Sequence, residues 1–188
     1  MKKIISIYGP PSVGKTTIAK AIVNQLGKDI CTRIALDKYL KNRNPEIDRI
    51  TFLNTDPVDW QLVEQHILSP KGTLVKRPKY DLDNYVRVGV DETDATIIQD
   101  IIFIEGAWPY LKADIKVQLE LDSHTRLKRM TLRYFNEWNK TGEVFVKLAA
   151  ENWEKLPGYY PDVQADFTIN TADNLATSVS KILKLLNN

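Results

Sequence analysis

Gly9-Pro10-Pro11-Ser12-Val13-Gly14-Lys15-Thr16 is a complete G-x-x-x-x-G-K-S/T loop, and its flanks decide the fold. Residues 4–8 before it (Ile-Ile-Ser-Ile-Tyr) form a short apolar run, as a buried parallel strand requires. Behind it, Ile18, Ala19, Ile22, Val23 and Leu26 recur at the 3.6-residue period of a helix. Strand, loop and helix together place an anion at a helix N-terminus, where the backbone N–H groups and the helix dipole favour negative charge. Gly9, Pro10, Pro11, Ser12, Val13, Gly14, Lys15, Thr16 and Thr17 are therefore the candidate cofactor-binding residues. In such a loop the glycines let successive amides turn toward the α- and β-phosphates. Lys15 reaches the β- and γ-phosphates, and the Thr16 hydroxyl meets Mg²⁺. The expected ligand is a nucleoside triphosphate.

The chain has 188 residues, enough for one ordinary core and too few for two comfortable ones, so one domain over residues 1–188 is expected. Its apolar fraction of 43% and charged fraction of 27% belong to a globular, water-soluble chain. A formal charge of +2 argues against nucleic acid or an acidic membrane as partner. The apolar run after Lys2 and Lys3 is too short for a secretory signal, and no stretch has the length of a membrane span. Cys31, the single cysteine, cannot form an internal disulfide and reads as a small buried hydrophobe at a strand start. A reducing cytoplasmic setting fits these features.

Further along, residues 30–36 read as a second strand ending at Asp37, and residues 42–45 as loop. Thr55-Asp56-Pro57 reads as a helix start with Pro57 in the first turn, the helix running to Leu68. Residues 101–104, 116–121 and 167–170 are further strand candidates. Helices are expected over 123–138, capped by Ser123, over 143–155 and over 174–186. Between them, residues 74–96 carry few helix signals and suggest a small β-rich lobe over the site. Strands alternating with helices predict an α/β fold with a mostly parallel sheet flanked by helices, and a lid at about residues 123–142.

In a parallel sheet, ligands bind beyond the carboxyl ends of the strands. Asp37 and Glu105 fall at two such ends and should face the phosphate loop. Acids in that position hold a metal or its waters, or accept the proton of an attacking hydroxyl. Thr16, Asp37 and Glu105 are the candidate metal residues. Arg126, Arg129 and Arg133 lie at helical spacings of three and four and share one face. Guanidiniums beside a nucleotide neutralise charge on a transferring phosphoryl group. Lys15, Asp37, Arg129 and Arg133 are the candidate catalytic residues, whereas His66 and His124 read as structural or exposed.

The order of these motifs resembles the uridine kinase and phosphoribulokinase group of P-loop kinases, most closely the uridine–cytidine kinases. Asp37-Lys38-Tyr39 is similar to the family's Asp-x-Phe-Tyr segment, whose acid serves as the base. Asp56-Pro57-Val58-Asp59-Trp60 is similar to its His-Pro-Asp-x-Phe-Asp segment. Pro78-Lys79-Tyr80-Asp81-Leu82-Asp83-Asn84-Tyr85-Val86-Arg87 resembles the stretch that lines the nucleoside pocket. Ile104-Glu105-Gly106 matches the metal-binding strand end, and Thr125-Arg126-Leu127-Lys128-Arg129 the family's Thr-Arg-Leu-x-Arg-Arg. Tyr85 stands where the family has a pyrimidine-reading histidine and Leu82 where it has a phenylalanine; residues 135–140 lack the lid's arginines.

The resemblance implies an ATP- and Mg²⁺-dependent kinase for a nucleoside or similar alcohol, and it hints at a homo-oligomer. Asp37, Tyr39, Asp59, Tyr80, Tyr85, Arg87 and Arg126 become candidate substrate contacts. Two rivals stay open: a kinase for another alcohol, such as pantothenate, ribosylnicotinamide or a sugar phosphate, and a nucleotide switch or ATPase without an acceptor. Lys76, Arg77 and Lys79 leave room for an acceptor phosphate. The guanine-reading Asn-Lys-x-Asp of GTPase switches is incomplete at Asn139-Lys140-Thr141-Gly142.

Overall fold

Alternate residues of one strand point to opposite sheet faces, and the strand Ile101–Gly106 uses this to build two cores at once. Ile102 and Ile104 enter one apolar cluster, while Phe103 enters the other, all three fully buried. In this computed structural model, which describes residues 2–137 and 163–187, that strand lies inside a five-stranded sheet.

The chain runs β1 (Lys3–Tyr8), α1 (Lys15–Leu26), β2 (Cys31–Ala35), α2 (Arg49–Asn54), α3 (Trp60–Leu68), β3 (Leu74–Asp81), β4 (Val86–Ile97), β5 (Ile101–Gly106), β6 (Ile115–Glu120), α4 (Ser123–Glu137), β7 (Phe167–Asn170) and α5 (Leu175–Lys184). The sheet order is β2-β5-β1-β6-β7 with every pairing parallel. One face carries α3 (Val63, Ile67) and the turn residues Leu36 and Tyr39; the other carries α1 (Ile18, Ile22) and α5 (Val179, Ile182). The expected α/β fold with a mostly parallel, helix-flanked sheet is what forms.

Several boundaries differ from the sequence reading for local reasons. Pro57 lies before α3, not in its first turn: Val58 bridges to Leu40, and Asp59 is the cap, accepting from the Leu62 N–H at 3.1 Å. Asp122 rather than Ser123 caps α4, its Oδ1 accepting from the Thr125 N–H at 2.8 Å, so Ser123 is already helical. The short α2 was not expected; Asp48 starts it by accepting from the amides of Ile50 and Thr51. Residues 74–96 do form a β element, the antiparallel hairpin β3–β4, with register shifts between Lys76 and Pro78 and between Lys79 and Tyr80. A proline inside a strand is tolerated at such irregularities. The helix expected over 143–155 and the end of the lid lie outside the described residues.

Candidate active site

The loop after β1 is pressed onto the end of β6, and that closeness dictates its first glycine. A Cβ on Gly9 would stand 2.5 Å from the Leu119 carbonyl oxygen, and its φ of +146° also disfavours a side chain. The loop then delivers Thr16 to the first turn of α1, facing β5. The Thr16 hydroxyl lies 3.2 and 3.1 Å from the two carboxylate oxygens of Glu105, which is 2% exposed. Lys15 Nζ donates to the Gly9 and Pro10 carbonyls, each at 2.8 Å.

Desolvation pushes the Lys15 ammonium down to about 8, against the pull of Asp37 and Glu105. Glu105 is raised, first by burial and then by the charge of Asp37; Arg33, Lys15 and the Thr16 hydroxyl oppose the shift. Arg33 on β2 reaches Glu105 Oε1 at 3.7 Å, a contact that the sequence reading did not foresee. Asp37 sits in a turn of 3₁₀ helix, Leu36–Lys38, directly after β2. Gly106 makes this approach possible: a Cβ there would come within 2.7 Å of Leu36 Cβ.

Beside these groups is a cleft of about 510 Å³ at the carboxyl ends of the strands, and Glu105 and Arg33 are not among its lining residues. Lys15, Thr16, Thr17, Asp37, Arg129 and Arg133 all line it, together with the loop from Pro11 to Gly14. Arg126, half-buried on the same helix, is not among the lining residues; its charge opposes protonation of Lys15, and burial lowers its own pKa to about 10. Thr171, Asp173, Leu175 and Ser178 complete the cleft wall. None of these four was a candidate site residue from sequence, although the strand-end rule applied to β7 points straight to Thr171.

The acceptor-side candidates divide. Asp59 and Arg87 form an ion pair at 3.0 Å, and Arg87 also donates to the Tyr39 carbonyl at 3.3 Å. Tyr80 donates to the Lys41 carbonyl at 2.9 Å. Tyr85 packs edge-on against Phe52 beneath the Arg49 guanidinium, and the charge of Asp37 adds to the upward shift that burial gives its phenol. Asp59, Arg87, Tyr80 and Tyr85 are not among the lining residues of the cleft, and neither is Tyr39, which is fully buried with its hydroxyl 2.9 Å from His66 Nδ1. The chain turns inward one residue after Lys38, so Tyr39 serves the core and does not line the cleft.

A parallel sheet in this order, a glycine loop over its central strand and acids at two neighbouring strand ends define the class of P-loop kinases. A family model described as the phosphoribulokinase / uridine kinase family matches residues 4–127. The chain belongs to that family. It is 29% identical over 148 residues to the uridine kinase of Clostridium perfringens strain 13, which spans 74% of this chain and 71% of the relative. It is 29% identical over 150 residues to uridine-cytidine kinase B of Dictyostelium discoideum, spanning 74% of this chain and 61% of that one. Among solved structures, a provisionally named fructose transport system kinase from Silicibacter sp. TM1040 superposes with a TM-score of 0.60, covering 89% of both chains at 16% identity. A possible uridine kinase from Bacillus stearothermophilus gives 0.50 over 89% of this chain and 88% of its own, also at 16% identity.

Proposed function

We propose that this protein transfers the γ-phosphoryl group of ATP to a hydroxyl of an uncharged small molecule, a nucleoside above all. The observation that carries the reading is that Lys15, Thr16 and Asp37 line one strand-end cleft, with the buried Glu105 carboxylate on the Thr16 hydroxyl. Loop amides and Lys15 bind the phosphates, for which Lys15 must leave the Gly9 and Pro10 carbonyls. Asp37, exposed at the mouth of the cleft, orients the acceptor hydroxyl and takes its proton. Arg129 and Arg133 offset the charge spread over the phosphoryl oxygens.

The donor set fits Mg²⁺. A hydroxyl and a carboxylate are hard oxygen ligands. Among the described residues, no three His, Cys, Asp or Glu residues gather into a protein cage. Mg²⁺ commonly uses one or two carboxylates and completes its shell with phosphate oxygens and water. Thr16, Glu105 and Asp37 are the residues that would hold it, and the ion would neutralise charge on the β- and γ-phosphates. An uncharged acceptor is supported by the pairing of several basic side chains on that side, although Lys79 has no ion pair among them. Arg87 is with Asp59, Lys76 with Glu92, and Arg77 and Lys38 with Asp94. The names of the sequence relatives support a nucleoside among such acceptors.

The test is ADP formation from Mg²⁺·ATP across uridine, cytidine, purine nucleosides, pantothenate and ribosylnicotinamide. Stimulation by a nucleoside is expected, and Lys15→Ala should lower it by about 10²-fold or more, as loss of a phosphate-binding charge does. Slow hydrolysis that no acceptor stimulates would overturn the kinase reading.

A further inference from the structure

Thr171, the first residue after β7, is bonded to three separate parts of the cleft. Its hydroxyl donates to the Val13 carbonyl inside the phosphate loop at 2.7 Å and lies 3.2 Å from the Glu120 carbonyl at the end of β6. Its own N–H also bonds Glu120 O, at 2.8 Å. Its carbonyl accepts from Arg129 Nη2 at 3.1 Å. The residue is 5% exposed, and its bond to Val13 is buried from water.

The Val13 bond has a directional consequence. Among the described residues no peptide is cis. In a trans peptide the carbonyl oxygen and the following N–H point to opposite sides of the chain. Fixing the Val13 carbonyl toward Thr171 therefore turns the Gly14 N–H the other way, and Gly14 itself lines the cleft. That peptide lies in a contorted stretch, with Ser12 at φ +62° and Gly14 at φ +103°, where the loop has no repeating ladder of its own to hold it. An N–H of a helix's first turn also has no partner within the helix, which leaves it to a ligand.

We propose that Thr171 is a positioning residue for nucleotide binding: its hydroxyl aims the Gly14 amide at the phosphates, while its carbonyl holds Arg129 over the same cleft. The proposal rests on the reading that this cleft takes a nucleoside triphosphate. It does not rest on which alcohol accepts the phosphoryl group. An amide oriented before the ligand arrives costs no reorganisation on binding.

The experiment is calorimetry of Mg²⁺·ADP binding to the full chain as wild type, Thr171→Val and Thr171→Ser, with melting temperatures and steady-state constants alongside. Thr171→Val, which keeps the shape and removes the hydroxyl, should weaken ADP binding about tenfold and raise KM for ATP in parallel. KM for the acceptor should stay within about twofold of wild type, and Thr171→Ser should restore ADP affinity to within about threefold. If folded Thr171→Val binds ADP as wild type does and only melts earlier, the hydroxyl is merely structural and the proposal is overturned. Equal losses in the valine and serine variants would overturn it too. Should the valine variant not fold, Thr171→Ala against Thr171→Ser gives the same comparison. Wild-type protein that fails to bind ADP at all would overturn instead the nucleotide reading beneath the proposal.

Discussion

At the scale of single residues, the strand-end cleft depends on a missing side chain. Gly106 lets Leu36 dock against the end of β5, with Leu36 Cβ, Cδ1 and Cγ at 2.7, 2.9 and 3.1 Å from where a Cβ would be. Leu36 is fully buried, so it cannot swing away, and the residue after it is Asp37. Gly106→Ala should therefore displace the turn that carries Asp37 and lower kcat, while ADP affinity stays within a few fold. Overpacking of this kind costs about 1–3 kcal/mol, to be read from a denaturation curve. An unchanged kcat would mean that the turn yields without moving Asp37. Glu105 and Thr16 were legible in the sequence because a loop motif and a strand end each fix a residue's position. Tyr39 was not, because a single 3₁₀ turn sends neighbours in sequence to opposite sides. Thr171 carries no motif at all; what it does follows from bonds to Val13 and Arg129, which are distant in sequence.

At the scale of elements, the hairpin β3–β4 is pinned to the turn beside Asp37 through Asp94. One of its carboxylate oxygens pairs with Arg77 within the hairpin and the other with Lys38 in the turn. Asp94→Asn should loosen the acceptor side without touching the phosphate loop, raising KM for the acceptor several fold and leaving KM for ATP unchanged. Equal changes in both constants would contradict that division. The stability cost should stay within about 1 kcal/mol, because the pair is partly exposed and screened by solvent. The inner strands β1 and β5 were legible as apolar runs, since burial on both faces leaves little room for polar residues. The hairpin's two strands were not separated in the sequence, because Pro78 breaks the pattern of β3 and the alternation of Val86, Val88 and Val90 in β4 gives way to the polar run from Asp91 to Asp94. Nor was α2: six residues are too few for a periodic signal, and only its cap, Asp48, marks it.

At the scale of the molecule, the two cores on either side of the sheet set a limit on alkaline stability. Cys31 is 2% exposed at the start of β2, and burial, helped by Asp29, pushes its thiol up to about 11 from an ordinary value of 9.0. Below about pH 9 both folded and unfolded chains keep the proton, and the thiol's contribution is complete. Between about 9 and 11 the unfolded chain loses the proton while the native chain retains it, so stability falls as pH rises through that window. Urea midpoints measured from pH 8 to 10.5 should decline, and Cys31→Ala should flatten part of the decline. The native thiol should also resist alkylation at pH 8 until the chain is unfolded. A midpoint indifferent to this substitution at every pH would contradict the assignment.

The strand order also has a consequence for how the protein comes into being. β1 and β2 leave the ribosome first, yet neither pairs with the other; both wait for β5, which lies between them in the sheet. At typical elongation rates the interval from Ala35 to Gly106 is on the order of several seconds. During that time two apolar strands have exposed edges and no sheet to join. The nascent chain thus gains its central scaffold late and almost at once, when β5 emerges and closes both gaps. Its exposure to misassembly is concentrated in the interval between the synthesis of β2 and that of β5.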